Sequence, residues 1–248
     1  AGELVPDEIL LCLPPEHKMM ESDVIGQNVV VVECPQKGQV SQRAFGFSKA
    51  KNNLVLQMDD DIHLRPDCLA NLERCIRRKN AIAVGPKLYD RVTGEYRSFL
   101  QPFGRPLGAF ERLLGWVING REGFQAGCIS RAGVNIGLPE EFPNDAEVEW
   151  LPGGCVLHHR DNLILENYYP FSGKAFAEDL FHSHLLRKKG ISLYRCKEAG
   201  ADVFFGGSRQ SLSIHLRDTR DYSRAMTAFC KEIGGSRVRF YTFLPLSL

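Results

Sequence analysis

LVLQMDDD, residues 54–61, joins an apolar run of strand length to three consecutive aspartates. Runs of the same kind occur at Ile9–Leu13, Val29–Val32 and Ala81–Val84. Strands that are apolar on both faces are typical of a parallel sheet that is covered by helices on both sides. We therefore predict an α/β domain with a mostly parallel central sheet flanked by helices.

Helical patterns separate and follow these apolar runs. Pro66 suits the first position of a helix, and Gly190 suits the cap of a helix whose last turn carries Arg187, Lys188 and Lys189. The patterns predict helices over Gln39–Ala50, Pro66–Lys79, Phe110–Ile118 and residues 174–189, and a further strand over Ile191–Cys196.

The composition restricts the class of protein. Of the 248 residues, 44% are hydrophobic and 25% are charged, which is enough for a sizeable core. Lys plus Arg is 31 and Asp plus Glu is 30, a balance that argues against a non-specific nucleic-acid binder. No apolar run approaches the roughly 18 residues that span a bilayer. The eight cysteines form no C-x-x-C pair, which excludes a zinc ribbon and favours reduced thiols in a cytoplasmic protein.

The three aspartates after the apolar strand are candidate metal ligands. Ligands of open α/β sheets collect outside the carboxyl ends of the strands, where Asp59, Asp60 and Asp61 would lie. Adjacent carboxylates repel one another unless a cation offsets them, and oxygen ligands suit Mg²⁺ or Mn²⁺. The alternative is an acidic turn before the helix at Pro66. An EF-hand is excluded because Leu64 and Ala70 stand where Gly and Glu are needed.

Four segments in order resemble the inverting family 2 glycosyltransferases of the GT-A fold. They are QKGQVSQRAFGFSKA (36–50), LVLQMDDD (54–61), WLPGGCVLHHRD (150–161) and FAEDLFHSHLLRKKG (176–190). The family pattern combines a Gly and Arg segment, a D-x-D motif after an apolar strand, W-x-x-G-G, and E-D before a basic helix end. The resemblance implies an enzyme that moves a sugar from a nucleotide diphosphate to an acceptor hydroxyl.

On the donor side, the resemblance implies a role for the first two segments. Asp61 would bind the metal ion, and Asp59 and Asp60 would hold the ribose or assist the metal. Gly38 would let the backbone approach the nucleotide, and Arg43 would contact the base or the phosphates. The alternative for Arg43 is a solvated residue on the surface of a helix.

On the acceptor side, the resemblance makes Asp179 of the Glu178-Asp179 pair the general base, which takes the proton of the acceptor alcohol. The alternative is that both acids only complement the dipole of a helix N-terminus. Trp150, Gly153 and Gly154 would line the acceptor side. For Trp150, a buried position in the core is an equal alternative.

Two departures from the family pattern lie near the start of the chain, and one of them is Leu13-Pro14-Pro15, which stands where Asp-Asp-Gly is common. The usual first strand-helix unit is not visible before Ile9, so we expect residues 1–208 to form an N-terminally incomplete GT-A-like domain. Residues 209–248 would form a helical extension packed on the domain or following it. This tail carries seven Lys or Arg and three Asp or Glu, and its Phe240, Tyr241, Phe243 and Leu244 could touch anionic lipid.

The sequence therefore predicts a metal-dependent glycosyltransferase of a glycan or glycolipid acceptor, in surface polysaccharide synthesis. It would use a nucleotide-sugar donor, bind no nucleic acid, and make peripheral contact with the inner face of the membrane. Two alternatives stay open. One is a non-catalytic relative that binds glycan or a partner protein, and the other is a sugar-phosphate nucleotidyltransferase.

Overall fold

A computed structural model describes residues 4–17, 28–79, 82–98, 106–121, 123–204 and 211–247. Strands and helices alternate through the first half of the chain, as the sequence predicts. The strands are β1 (Ile9–Leu13), β2 (Val29–Glu33), β3 (Leu54–Met58), β4 (Ile62–Leu64), β5 (Ile82–Asp90), β6 (Tyr96–Arg97), β7 (Ala146–Val148), β8 (Cys155–His159) and β9 (Ser192–Val203). The helices are α1 (Gln39–Lys49), α2 (Cys68–Arg77), α3 (Ala109–Asn119), α4 (Glu178–Lys188), α5 (Leu212–Glu232) and α6 (Arg237–Ser247).

Most predicted elements are found close to their expected bounds. The helix predicted over residues 174–189 begins only at Glu178, and the strand predicted over Ile191–Cys196 extends to Val203. The strand predicted over Ala81–Val84 is present from Ile82, and Ala81 lies outside the described residues. The helix α2 begins at Cys68, two residues later than Pro66 predicts, because Asp67 has a left-handed backbone with φ of 62°. The fold class is confirmed as a single mixed α/β domain with a central sheet flanked by helices.

The direction of the strands differs from the prediction. The main sheet has the order β3-β8-β5-β9-β4, with β6 paired to β5 and β7 paired to β9. Only β5 and β9 pair in parallel there, so the expectation of a mostly parallel sheet is wrong. An apolar run indicates that a strand is buried on both faces of its sheet. It does not indicate whether the strand runs parallel or antiparallel to its neighbours. A separate parallel pair, β1 with β2, forms a second sheet.

Helix α2 shows why these sequences fold against the sheet. Its buried side chains Cys68, Leu72, Cys75 and Ile76 recur at helical spacing and pack with residues of β5, β8 and β9. Polar residues occupy the opposite face of the helix.

The two C-terminal helices share a core with the rest of the domain. Met226 and Phe229 of α5 and Phe240 and Phe243 of α6 are almost fully buried, in one cluster with residues of α3 and α4. The proposed boundary between residues 208 and 209 lies outside the described residues. In the described part of the chain, no helix has the length and apolar character needed to cross a bilayer.

Candidate active site

The aspartates lie at the exposed end of β3, as predicted. The backbone N–H of Asp59 donates a 2.9 Å hydrogen bond to the carbonyl oxygen of Gly154. Asp59 is half-buried, whereas Asp60 and Asp61 are exposed. The strand β4 follows at once with the buried Ile62. The turn therefore presents its carboxylates at the rim of the sheet.

The pair Gly153-Gly154 brings this turn against the Glu178-Asp179 pair. A Cβ atom on Gly153 would overlap the carboxylate of Glu178, and one on Gly154 would lie 3.5 Å from Asp59 Oδ2. Absence of a side chain at Gly153 thus permits the close approach of Glu178, whereas a Cβ on Gly154 would be at ordinary contact distance from Asp59. The carbonyl oxygen of Gly153 also accepts a hydrogen bond from the Gln57 side chain.

Arg43 links the two acidic motifs. Its Nη1 donates to Glu178 Oε2 at 2.7 Å, and its Nη2 lies 3.4 Å from Asp59 Oδ1 and 3.5 Å from the Gly153 carbonyl oxygen. The Arg43 side chain is only 8% exposed. Burial alone would lower the pKa of Arg43, but the negative charge of Glu178 raises it above its ordinary value. Arg43 is therefore a buried cation between two acids, and the solvated alternative is wrong.

Gly38 and the start of α1 lie on the same side as Asp59. Gly38 precedes the helix with φ of 138°, a conformation that favours glycine, and its N–H donates to Gln42 Oε1 at 3.1 Å. Gln39 Nε2 lies 3.4 Å from Asp59 Oδ2. The helix α1 therefore directs both its first turn and Arg43 toward the aspartates.

Glu178 has a second partner that the sequence motifs do not include. The hydroxyl of Tyr168 donates to Glu178 Oε2 at 2.9 Å. Burial, followed by the charge of Glu178, raises the pKa of Tyr168. The Tyr168 ring stacks on His182, with 5.6 Å between ring centroids. Tyr168 lies in a loop, where no periodic spacing marks it, so this contact could not be predicted from the sequence.

Asp179 differs from its neighbour in environment. Its Oδ1 accepts a 3.0 Å hydrogen bond from the backbone N–H of Leu180, at the start of α4. Burial and the charge of Glu178 raise the pKa of Asp179 to about 7. The preceding Ala177 has a left-handed backbone with φ of 57°, which is strained for a residue with a Cβ. A carboxyl group that ionises near neutral pH can take up a proton from a substrate.

Asp59 and Asp61 fit a hard divalent cation. Burial raises the pKa of Asp59, Arg43 opposes this shift, and the charges of Glu178 and Asp61 add to it. Asp61 is therefore close enough to act on Asp59 through its charge. Two carboxylates at an exposed rim leave coordination positions for water and phosphate oxygens, the usual arrangement for Mg²⁺ and Mn²⁺.

Trp150 does not lie where an acceptor could stack on it. Its side chain is 5% exposed within the main core cluster, and its Nε1 donates to the Ile136 carbonyl oxygen at 2.9 Å. The expectation of an acceptor-side indole is therefore wrong, and the core alternative holds. Gly153 and Gly154, by contrast, lie beside Glu178 and Asp59.

A cavity of about 310 Å³ lies away from these acids, near the end of α3. None of the residues that line this cavity belongs to one of the four sequence motifs. We therefore identify the candidate active site by its acidic residues and Arg43, and not by the volume of a cavity. The lining residues are Asn119, Gly120, Arg121, Gln125, Cys128, Ile129, Arg131 and Ile136.

Comparison with known proteins agrees with this site. Residues 18–130 match the sequence model of Glycosyl transferase family 2, a segment that includes Gly38, Arg43 and the three aspartates. No curated protein sequence matches the chain.

Two solved structures are similar to the fold. A crystal structure of GalNAc-T7 with UDP, GalNAc and Mn²⁺ superposes with a TM-score of 0.53 at 14% identity, over 86% of this chain and 42% of that one. TarS 1–349 from S. aureus, in complex with UDP-GlcNAc, gives a TM-score of 0.45 at 13% identity, over 88% of this chain and 55% of that one. The chain thus spans about half the length of each of these proteins.

The fold is that of the GT-A class. Within the chain, residues 18–130 resemble the family 2 glycosyltransferases.

Proposed function

We propose that this protein is a metal-dependent inverting glycosyltransferase that moves a sugar from a nucleotide-diphosphate donor to a hydroxyl of a glycan or glycolipid. The observation that carries the proposal is Arg43, which contacts Asp59 of the donor motif and Glu178 of the base motif. Donor and acceptor chemistry would thus meet within one buried polar cluster. We place the activity in the cytoplasm, in the synthesis of surface polysaccharide.

The donor would bind along α1 and the end of β3. Asp59 and Asp61 would hold Mg²⁺ or Mn²⁺, and Asp60 would contact the ribose. A bound divalent ion supplies Lewis-acid assistance by neutralising charge on the leaving diphosphate. Gly38 would allow close approach of the backbone to the nucleotide, and Arg43 would add positive charge near the phosphates.

Asp179 would act as the general base. An alcohol is a weak nucleophile, so its proton must leave as the new bond forms. The pKa of about 7 makes Asp179 a stronger base than an ordinary carboxylate while it is still ionised in part at neutral pH. Attack on the face opposite the departing diphosphate inverts the sugar, as in inverting glycoside hydrolysis.

Glu178 would position this base rather than share its role. Its carboxylate is 7% exposed and is held by Arg43 and Tyr168. Both donors bind the same oxygen, Oε2, which fixes the orientation of the Glu178 carboxylate. Its negative charge contributes to the raised pKa of the adjacent Asp179.

Calorimetric titration of UDP, GDP and dTDP, with and without Mn²⁺, tests the donor half of the proposal. We expect one nucleotide to bind in a Mn²⁺-dependent manner. The Asp61→Ala variant should bind it only at the level seen without metal, because a charged ligand is lost. The matched control is Asp161→Asn, an exposed acid at the other end of β8, which should bind like the parent protein.

Two outcomes of this titration would contradict the proposal. Binding of no nucleotide by a folded protein favours a non-catalytic module. Equal weakening in Asp61→Ala and Asp161→Asn would show that the effect on binding is general and that Asp61 is no metal ligand.

We also propose peripheral contact with a membrane surface, chiefly through α3. Of the tail residues named from the sequence, Phe240 and Phe243 are buried and so unavailable to lipid, whereas Tyr241 is 53% exposed. Leu113 and Trp116 are more than half exposed on α3, next to the basic tail, and the Arg239 guanidinium lies 5.8 Å from the Trp116 ring. Exposed apolar side chains beside basic charge are typical of interfacial helices.

Vesicle co-sedimentation at low salt tests this contact. We expect the protein to prefer vesicles with an anionic lipid over neutral ones, and the double change Leu113→Ser, Trp116→Ser to abolish the preference. The control Val92→Ser removes an equally exposed apolar side chain elsewhere and should change nothing. Equal binding to both kinds of vesicle would refute the contact.

A further inference from the structure

Three side chains from three different parts of the fold converge outside the site described above. They are Cys75 of α2, Asp145 in the segment before β7, and Cys196 of β9. Their sulfur and carboxylate oxygen atoms all lie within 4.8 Å of one another. In the described ranges of the chain, this is the one group of three or more such donors at this spacing. Both cysteines are 2% exposed, and Asp145 is half-buried.

The spacing matches that of ligands around one tetrahedral ion. Cys75 Sγ lies 3.4 Å from Asp145 Oδ2. Bond lengths of about 2.3 Å for Zn–S and about 2.0–2.2 Å for Zn–O, at a tetrahedral angle, separate sulfur and oxygen by about 3.5 Å. A shared ion would therefore need little movement of either side chain.

A bulge in β9 supplies backbone donors to this cluster. Arg195 pairs with Gly85 and Gly200 pairs with Lys87, so residues 196–199 lie opposite Pro86 alone. Bulges of this kind redirect side chains and free backbone groups from the ladder. The N–H of Lys197 donates to Asp145 Oδ1 at 2.9 Å, and the N–H groups of Glu198 and Ala199 donate to the Cys196 sulfur.

These donors favour the charged forms of the ligands. Backbone N–H groups that point at a carboxylate and a sulfur stabilise the anions. A hydrogen bond from an outer group that fixes a ligating carboxylate is usual at metal sites. In the structure the Cys75 thiol donates to Asp145 Oδ2 at 3.4 Å, and the Cys196 thiol donates to the Asn71 carbonyl oxygen at 3.6 Å. A cation at the centre would replace the thiol proton that lies between Cys75 and Asp145.

We infer that Cys75, Asp145 and Cys196 bind one Zn²⁺ ion, with water as the fourth ligand. Two sulfur ligands select Zn²⁺ over the Mg²⁺ or Mn²⁺ that carboxylates alone prefer. The thiols bind as thiolates, and their protons are released to solvent. The ion joins α2 to the bulge of β9 and to the segment before β7. This inference is independent of the proposed transferase activity.

Titration with Co²⁺, a spectroscopic substitute for Zn²⁺, tests the site on the full, reduced and chelator-treated chain. We expect one equivalent to give a thiolate-to-cobalt charge-transfer absorption that Zn²⁺ abolishes by displacement. The variants Cys75→Ser and Cys196→Ser should lose this absorption. Asp145→Asn should weaken cobalt binding by more than about tenfold, because an anionic ligand is lost.

The matched control is Cys12→Ser, since Cys12 and Cys34 form another close thiol pair. This variant should keep the absorption and the stoichiometry of one. X-ray absorption at the zinc edge, measured on Cys12→Ser, should find two sulfur neighbours, and it needs no change to the ligands themselves. A folded, reduced protein without the cobalt absorption would overturn the inference, as would zinc bound by nitrogen and oxygen alone. Formation of a Cys75–Cys196 disulfide instead of metal uptake would also overturn it.

Discussion

At the scale of single residues, the two adjacent acids Glu178 and Asp179 have different environments. Glu178 is held by Arg43 and Tyr168, whereas Asp179 has one backbone donor and a pKa of about 7. The sequence pattern identifies the pair of acids but does not indicate how the environments of Glu178 and Asp179 differ. The distinction depends on Arg43, which lies 135 residues earlier in the chain than Glu178. Such a separation leaves no local signal.

The Asp179→Asn change should separate activity from binding. We expect turnover to fall by roughly two to four orders of magnitude, with nucleotide binding near the parent value, because the amide cannot accept the proton. For the parent enzyme, kcat/KM should rise with pH and level off above about pH 7, where the base is ionised. Steady-state kinetics across pH measure both effects.

The same change should stabilise the fold at high pH. The pKa of Asp179 is higher in the folded state than its ordinary value of 3.8. Its contribution to stability is therefore complete below about pH 4 and is lost as the pH rises through about 7. Thermal unfolding should show a larger gain for Asp179→Asn at pH 8 than at pH 5, and little gain at pH 4. A loss of stability at pH 8, or a similar loss of turnover in Asp161→Asn, would argue against the role of base.

At the scale of elements, a row of rings joins α1, β8 and α4 behind the acids. His158 contacts Phe47 and His182 edge to face, with 5.9 and 5.4 Å between ring centroids. His182 in turn stacks on Tyr168. His158 is fully buried, and neither of its ring nitrogens has a hydrogen-bond partner among the described residues. The row of rings thus packs against Tyr168, but it leaves the buried His158 nitrogens without a hydrogen bond from the described residues.

Buried histidine should make the domain sensitive to acid. Burial lowers the pKa of His158 to about 3, so its stabilising effect is complete above about pH 6.5 and is lost as the pH falls toward 3. The free energy of unfolding should fall by up to roughly 1.4 kcal/mol for each pH unit in this range. His158→Phe and His158→Leu should reduce this slope in denaturant titrations at pH 6 and pH 4.

The control for this experiment is His17→Gln, which changes an exposed histidine. It should leave the slope unchanged. If both His158 variants unfold in acid as the parent does, His158 is not the group responsible. His182, whose pKa burial also lowers, would then be the next residue to change.

The elements themselves were largely predictable, and their pairing was not. Apolar runs and helical periodicity gave β1, β2, β3, α1 and α2 close to their observed bounds, because burial leaves a local pattern. Strand direction, the bulge at residues 196–199 and the approach of Cys75 to Cys196 depend on partners far away in sequence. Hydrophobic pattern contains no information on these contacts.

At the scale of the whole molecule, α5 and α6 belong to the main core. Phe229 and Phe240 are completely buried, and Phe243 is 2% exposed. Truncation of one buried Phe typically costs about 3–5 kcal/mol, and small domains are stable by only about 5–15 kcal/mol. A chain that ends at residue 208 should therefore lack a cooperative unfolding transition.

Calorimetry and near-ultraviolet circular dichroism of the shortened chain would measure this loss. The control is a chain that ends after residue 244, which removes the exposed Pro245 and Leu246 and the two residues after them and should unfold cooperatively. A sharp transition in the chain of residues 1–208 would show that the two helices form a separable extension, as the sequence permits.

The position of Arg43 between Asp59 and Glu178 has a thermodynamic consequence. A ligand that changes the charge at Asp59 changes the electrostatic attraction between Asp59 and Arg43. Because Arg43 also pairs with Glu178, the electrostatic effect of Glu178 on Asp179 changes as well. The coupling between two binding events is reciprocal. If the ligand changes the proton affinity of Asp179 by some factor, protonation of Asp179 must change the affinity for the ligand by the same factor. Occupancy on one side of the cluster and basicity on the other therefore form a single coupled equilibrium.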